Sequence, residues 1–193
     1  YFKGILGKEK ESLFERIKSC YIPEKHKKSL VSFYDNASVI EGSYCNDFIL
    51  DVNNKYNKKI LKKHFSYKAE THNFPTGVSP FPGAATGSGG RIRDILCVGL
   101  GGDIIAGTAG YCVGDIFNQN KRDYSFLYNE PMGILIEASN GASDYGNKIG
   151  EPIIQGFTRS FRNDLSTNAK NNISNSIRNN RVEYLKPIMY SGG

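Results

Sequence analysis

Two neighbouring runs limit this chain more than any others. The first is Lys68-Ala69-Glu70-Thr71-His72-Asn73-Phe74-Pro75-Thr76-Gly77. The second, two residues later, is Pro80-Phe81-Pro82-Gly83-Ala84-Ala85-Thr86-Gly87-Ser88-Gly89-Gly90-Arg91-Ile92-Arg93-Asp94. Residues 65–71 alternate in character and predict a strand, whose side chains point to opposite faces in turn. Lys68, Glu70 and His72 then share one face, with Ala69 and Thr71 on the other. Burying a cation, a carboxylate and an imidazole in one row is costly unless the row is used. A lysine can hold phosphate oxygens, a glutamate can ligate Mg²⁺, and a histidine can move protons near neutral pH. The plainer alternative is a solvated strand face with an incidental ion pair.

The second run reads as a loop over residues 83–90 leading into a helix at 91–98. Glycine and alanine let a backbone approach a ligand closely, and free N–H groups ahead of a helix favour an anion. Arg91 and Arg93 add charge suited to phosphate, and Asp94 offers a second carboxylate for a metal. The run lacks the Gly-Lys-Ser/Thr of a Walker A loop. It also breaks the dinucleotide fingerprint, since Ile92 stands at the third glycine's place. A flexible linker is the bland alternative. A third polar run, residues 139–148, reads either as a surface turn or as a second substrate loop. Asp35 and Asn36 read as a helix end or as a nucleotide contact.

Around these runs the pattern predicts helices at residues 9–20, 24–34 and 131–138. It predicts strands at 37–40, 104–113, 151–157 and 184–189, with a turn at Gly42. Loops are expected at 51–63, 73–82 and 140–150. The mixture indicates an α+β fold, a sheet with flanking helices, in one domain over 1–193. With 39% hydrophobic residues, the chain can build a core. No stretch reaches the roughly 20 apolar residues of a membrane-spanning helix. The first residues carry neither an initiator Met nor a signal-peptide pattern, and residues 188–193 end abruptly, so a piece of a longer protein is expected. Four scattered cysteines without a C-x-x-C pair predict reduced thiols and a cytoplasmic setting. The 25 Lys+Arg exceed the 19 Asp+Glu to give +6, which raises a basic nucleic-acid-binding module as an alternative. The basic clusters at 55–63 and 170–181 lack interleaved aromatics, which argues against it, and the Asn-rich run within 163–181 reads as a solvated insertion.

The two runs together resemble the phosphoribosylformylglycinamidine synthases, the glutamine-dependent amidotransferases of purine biosynthesis. Further matches are Ser12-Leu13-Phe14, Asp35-Asn36, residues 106–111, residues 137–152 and Lys186-Pro187-Ile188-Met189. Only residues 44–63 and 163–181 depart, as variable loops. The form with Phe74 is similar to the large, single-chain, eukaryotic-type enzymes. The resemblance implies one half of the first aminoimidazole-ribonucleotide-synthetase-like unit, with a mixed or antiparallel sheet. It implies conversion of formylglycinamide ribonucleotide, glutamine and ATP into formylglycinamidine ribonucleotide, glutamate, ADP and phosphate. A related ATP-using synthetase or kinase of the same superfamily is the alternative.

Carried onto this sequence, the resemblance assigns ATP binding to Lys68, Gly83, Ala84, Ala85, Thr86, Gly87, Ser88, Gly89, Gly90, Arg91, Ile92, Arg93 and Asp94. It assigns Mg²⁺ to Glu70 and Asp94, acid–base or oxyanion chemistry to His72, and substrate contacts to Thr71, His72, Asn73 and Arg93. The implied partners are formylglycinamide ribonucleotide, ATP, ammonia from a glutaminase domain not in this sequence, and a second synthetase unit. Nucleic acid and membrane are not implied. Alone, the piece is expected to be inactive and to favour self-association through exposed edges.

Overall fold

The computed structural model describes residues 11–117, 128–164 and 181–193. Of the Asn-rich insertion expected at 163–181, residues 165–180, with their share of the second basic cluster, lie outside the described residues. The chain divides into two compact units, Tyr1–Tyr67 and Lys68–Gly193.

In the first unit, α1 (Leu13–Ser19) is shorter than predicted. Its start is fixed by a reciprocal cap: Glu15 N donates to Ser12 Oγ at 3.2 Å and Ser12 N donates to Glu15 Oε2 at 2.7 Å. The hydrogen bonds from Ser12 hold the Glu15 carboxyl below its ordinary range. The helix expected at 24–34 is absent. Turns occupy that stretch, followed by β1 (Ser29–Val31), which pairs antiparallel with β2 (Ala37–Leu50). Strand β2 runs straight through Gly42, where a turn was expected. β3 (Tyr56–Thr71) returns after a tight turn, in which Asp51 Oδ1 accepts from the backbone of Asn53 at 2.8 Å and Lys55 at 2.9 Å. Residues 44–63, expected as loop, are therefore mostly extended. Their alternation is hard to read because Tyr44, Phe48, Tyr56 and Ile60 are all exposed, so burial imposes little period-2 pattern on them.

The second unit begins at the last residues of β3. They pair antiparallel with β8 (Ile188–Gly192), which pairs antiparallel with β4 (Gly107–Val113), which pairs parallel with β5 (Ile153–Ser160). The sheet is mixed, as expected. A separate two-stranded ladder joins β6 (Arg162–Asp164) to β7 (Arg181–Glu183).

The helices depart most from expectation. Residues 73–82 are not a loop. They form α2 (Asn73–Val78) and the start of α3 (Pro80–Leu96). The glycine-rich run at 83–90 is the middle of α3, so the expected phosphate loop is a helix. Likewise 140–150 is the second half of α4 (Pro131–Ile149), which ends at Gly150 in the left-handed conformation, φ +90°. Glycine, serine and asparagine are poor helix formers, yet packing overrides that preference. Small side chains let α3 and α4 approach each other and the sheet. A Cβ at Gly141 would collide with the Phe81 carbonyl, and one at Gly87 would lie 2.8 Å from both His72 Cβ and Met189 Sδ.

The core lies between these two helices and the central strands: Ala84 from α3, Ala138 and Ala142 from α4, Ala109 and Tyr111 from β4, and Met189 from β8. Burial pushes the Tyr111 hydroxyl up to about 12. Gly87→Ala is expected to destabilise the protein by about 1–3 kcal/mol through overpacking, read as a lower urea midpoint. An unchanged midpoint would mean that α3 shifts freely from the sheet.

Candidate active site

Lys68, Glu70 and His72 do lie on one face at the end of β3. Lys68 is buried and Glu70 and His72 are half-buried, whereas Ala69 and Thr71 are exposed. The backbone here is clamped by β8. Lys68 N donates to Gly193 O at 2.9 Å, and His72 N donates to Met189 O at 2.8 Å. Asn73 adds a side-chain brace, its Oδ1 accepting from Met189 N at 2.9 Å.

The Lys68 ammonium is the centre of the site. It lies 2.6 Å from Glu70 Oε1 and 2.8 Å from Asp94 Oδ2, so the strand and α3 converge on one cation. The lysine side chain is 1% exposed, while those of Glu70 and Asp94 are 38% and 51% exposed. Burial pulls the ammonium's pKa down, but the pairing with Asp94 and Glu70 outweighs it and the net shift is upward. Lys68 stays charged through the neutral range. One cation against two carboxylates leaves a local charge of −1, open to solvent on the carboxylate side.

His72 faces α3. Its Nδ1 is hydrogen-bonded to the Gly83 carbonyl. A carbonyl only accepts, so Nδ1 carries the proton, and in the neutral ring Nε2 is left as a free acceptor.

The helical path of residues 83–94 sorts the expected nucleotide contacts into two faces. Gly83, Ala84, Gly87, Ser88, Gly89, Arg91 and Ile92 are buried against the protein. Thr86, Arg93 and Asp94 are exposed, and Ala85 and Gly90 are half-buried. In the helix interior the N–H groups are used by the preceding turn. At its start, Pro80 and Pro82 have no N–H, and Gly83 N donates to Ser79 O at 2.8 Å. The expected cradle of free backbone donors is therefore not present.

Arg91 is the largest departure. Rather than offering charge at a surface, it is fully buried and paired with Glu151. Its Nη1 donates to Glu151 Oε1 at 2.6 Å, Nη2 donates to Oε2, and Nε donates to Ser191 Oγ at 3.3 Å. Arg93 points outward, its Nη1 donating to Tyr145 Oη at 3.4 Å. Thr71 lies on the face opposite Lys68. The structure thus gathers Lys68, Glu70 and Asp94 with His72 nearby in sequence, and does not bring Thr71 to them.

Sequence reasoning missed Glu151, whose only signal is a lone acid after a helix-ending glycine, and Asn129, whose Nδ2 donates to Val78 O at 2.9 Å and ties off the end of α2. Residues 139–148, read as a turn or substrate loop, lie on α4. Asp35 and Asn36 belong to the first unit, beside Phe14 and Phe33 at a cavity of about 400 Å³. Among the described residues, no group of three or more His, Cys, Asp or Glu side chains forms a metal cluster, and no helix is long and apolar enough to cross a membrane.

Comparison with known proteins gives a consistent picture. The chain is 42% identical over 209 residues to human phosphoribosylformylglycinamidine synthase, a match that takes in 100% of the chain. The Dictyostelium discoideum synthase is 41% identical over 194 residues, taking in 95% of the chain. The chain is related along its length to one stretch of the phosphoribosylformylglycinamidine synthases. It spans 15% of the human synthase and 13% of the Dictyostelium one. The Drosophila melanogaster synthase is 51% identical over 135 residues. No protein-family model matches. Among solved structures, Thermotoga maritima PurL complexed with ADP matches at 21% identity and a TM-score of 0.46, covering 89% of this chain and 20% of that one.

Proposed function

We propose that this chain supplies one wall of the nucleotide site of a phosphoribosylformylglycinamidine synthase. The reaction is ATP-dependent amidation of formylglycinamide ribonucleotide, with ammonia drawn from glutamine. The observation that carries the reading is the convergence of Glu70 from β3 and Asp94 from α3 on the Lys68 ammonium. Whole-length similarity to synthases supports it, and PurL structures with ADP, with ATP and with FGAR are known for the bacterial protein.

In this reading the amide oxygen of the substrate attacks the γ-phosphorus of ATP, releasing ADP and forming a phosphorylated imidate. Ammonia then displaces phosphate. Such transfers depend mainly on positioning and on neutralising charge at the phosphoryl group. Lys68 holds phosphate oxygens as a point charge. The exposed face of α3, with Thr86, Gly90 and Arg93, lies along the nucleotide, and Arg93 reaches either phosphate or substrate. Asn73 keeps the strand end in register through its Oδ1 and offers its Nδ2 to the substrate. His72, its Nδ1 proton fixed on Gly83, presents Nε2 to take or return a proton.

The donors fit Mg²⁺, because two half-exposed carboxylates already gather round a cation. One or two carboxylates plus substrate phosphates are usual for this ion. Glu70 and Asp94 would hold it, and when bound it neutralises charge on the transferring phosphoryl group. The remaining partners of the reading are a second synthetase unit and a glutaminase domain as ammonia source, in the cytoplasm.

Asp94→Asn in the intact synthase is expected to weaken Mg²⁺-dependent binding of a non-hydrolysable ATP analogue by at least about 10-fold, followed by calorimetry. Identical Mg²⁺ titrations for both proteins would overturn the reading.

A further inference from the structure

We infer that Lys68 is the resident counter-ion of the divalent site, and that it must give up the Glu70 and Asp94 carboxylates before a metal ion can take them. The inference rests on the reading of Glu70 and Asp94 as metal ligands, and adds how their occupancy is controlled.

The ammonium stands 2.6 Å from Glu70 and 2.8 Å from Asp94, close ion-pair distances that lack hydrogen-bond angles, so charge rather than directed donors holds the three groups together. The lysine reaches the carboxylates from the buried side, with its side chain 1% exposed, while both carboxylates open to solvent. A divalent ion therefore arrives from the opposite side and meets two carboxylates that each already have one oxygen, Glu70 Oε1 and Asp94 Oδ2, against the lysine. It also meets a like charge a few ångströms away, which it repels. The lysine backbone cannot retreat, because its N–H and C=O are both bonded to Gly193, at 2.9 and 3.0 Å. Only the flexible stem of the side chain can swing.

A triphosphate resolves the conflict. Its oxygens offer the ammonium a replacement anion and the metal additional ligands. Metal alone is therefore disfavoured, and nucleotide and metal enter together. By linkage each strengthens the other by the same factor. Between visits of the nucleotide, the lysine keeps the two acids converged and compensated, so the site does not carry two uncompensated negative charges side by side.

The test uses Mn²⁺ as probe in the intact synthase without nucleotide, with bound metal read by electron paramagnetic resonance. Lys68→Met removes the charge at similar length and is expected to bind Mn²⁺ at least 10-fold more tightly than the wild type. Lys68→Arg keeps a cation and is expected to stay weak. A Lys68→Met protein no tighter than wild type overturns the exchange. If that variant does not fold, the wild type still decides the matter. Mn²⁺ binding should raise the reactivity of the Lys68 amine towards an acylating reagent, read by mass spectrometry. Unchanged reactivity while the metal site fills overturns the exchange. Glu70→Gln and Asp94→Asn separate the two levels. If they leave Mn²⁺ binding intact, the ligand assignment fails and takes the exchange with it. If they abolish it while Lys68→Met gives no gain, the exchange alone fails.

Discussion

Replacing His72 by alanine in the intact synthase is expected to lower turnover by about 10²–10⁴-fold, the range for loss of a positioned general acid or base, with ATP affinity nearly unchanged. The imidazole also braces α3 through the Gly83 carbonyl, so lost activity could reflect a shifted helix. His72→Asn separates the two roles. Its amide nitrogen can still donate to Gly83, but it has no nitrogen that titrates. Turnover should fall as far as in the alanine variant while thermal stability returns towards wild type. Unchanged turnover in either variant would remove His72 from the chemistry.

Breaking the Arg91–Glu151 pair is expected to give the largest loss of stability. Both side chains are 1% exposed, and the guanidinium has Glu151 and Ser191 as partners. Glu151→Ala leaves a cation buried without its counter-charge, at a cost of about 3–5 kcal/mol. Arg91→Ala leaves the carboxylate in the same position and should cost a similar amount. Two charges removed together should cost much less than the sum. An Arg91→Met/Glu151→Leu double variant is expected to recover most of the loss, because an apolar pair of similar volume often replaces a buried ion pair at little cost. Urea unfolding of the three variants measures this. Single variants within about 0.5 kcal/mol of wild type, the usual range for surface substitutions, would mean that solvent reaches the pair.

The contrast between these two arginines indicates how far the sequence could be read. Arg91 and Arg93 stand two apart beside the same glycines, and sequence reasoning treated them alike. On a helix, two positions apart means different faces, so one is buried with Glu151 and the other meets solvent and Tyr145. Reading the run as a loop hid that difference. The error has a physical origin: glycine content argues against a helix only when nothing packs on it. Here the missing side chains are what let α3 lie against β8 and α4. The strand carrying Lys68, Glu70 and His72 was legible because charged residues at period 2 can be sorted into faces without knowing the neighbours. Asp94 was legible as an acid, but its position beside Lys68 depends on α3 being helical from Pro80. Residues 44–63 of the β2–β3 hairpin were illegible for the opposite reason, since most of their side chains are exposed and burial sorts few of them into faces.

Strand β8 sits between β3 and β4, although Met189 and the Asn73 it bonds are 116 positions apart in the chain. On the ribosome, the segment bearing Lys68 emerges long before the strand that clamps it. Until residues 188–192 are synthesised, β3 and β4 expose bare edges and α3 has no sheet to rest on. Such distant pairing is slow to form, and nascent chains stalled before residue 188 should be the ones that chaperones retain and proteases cut.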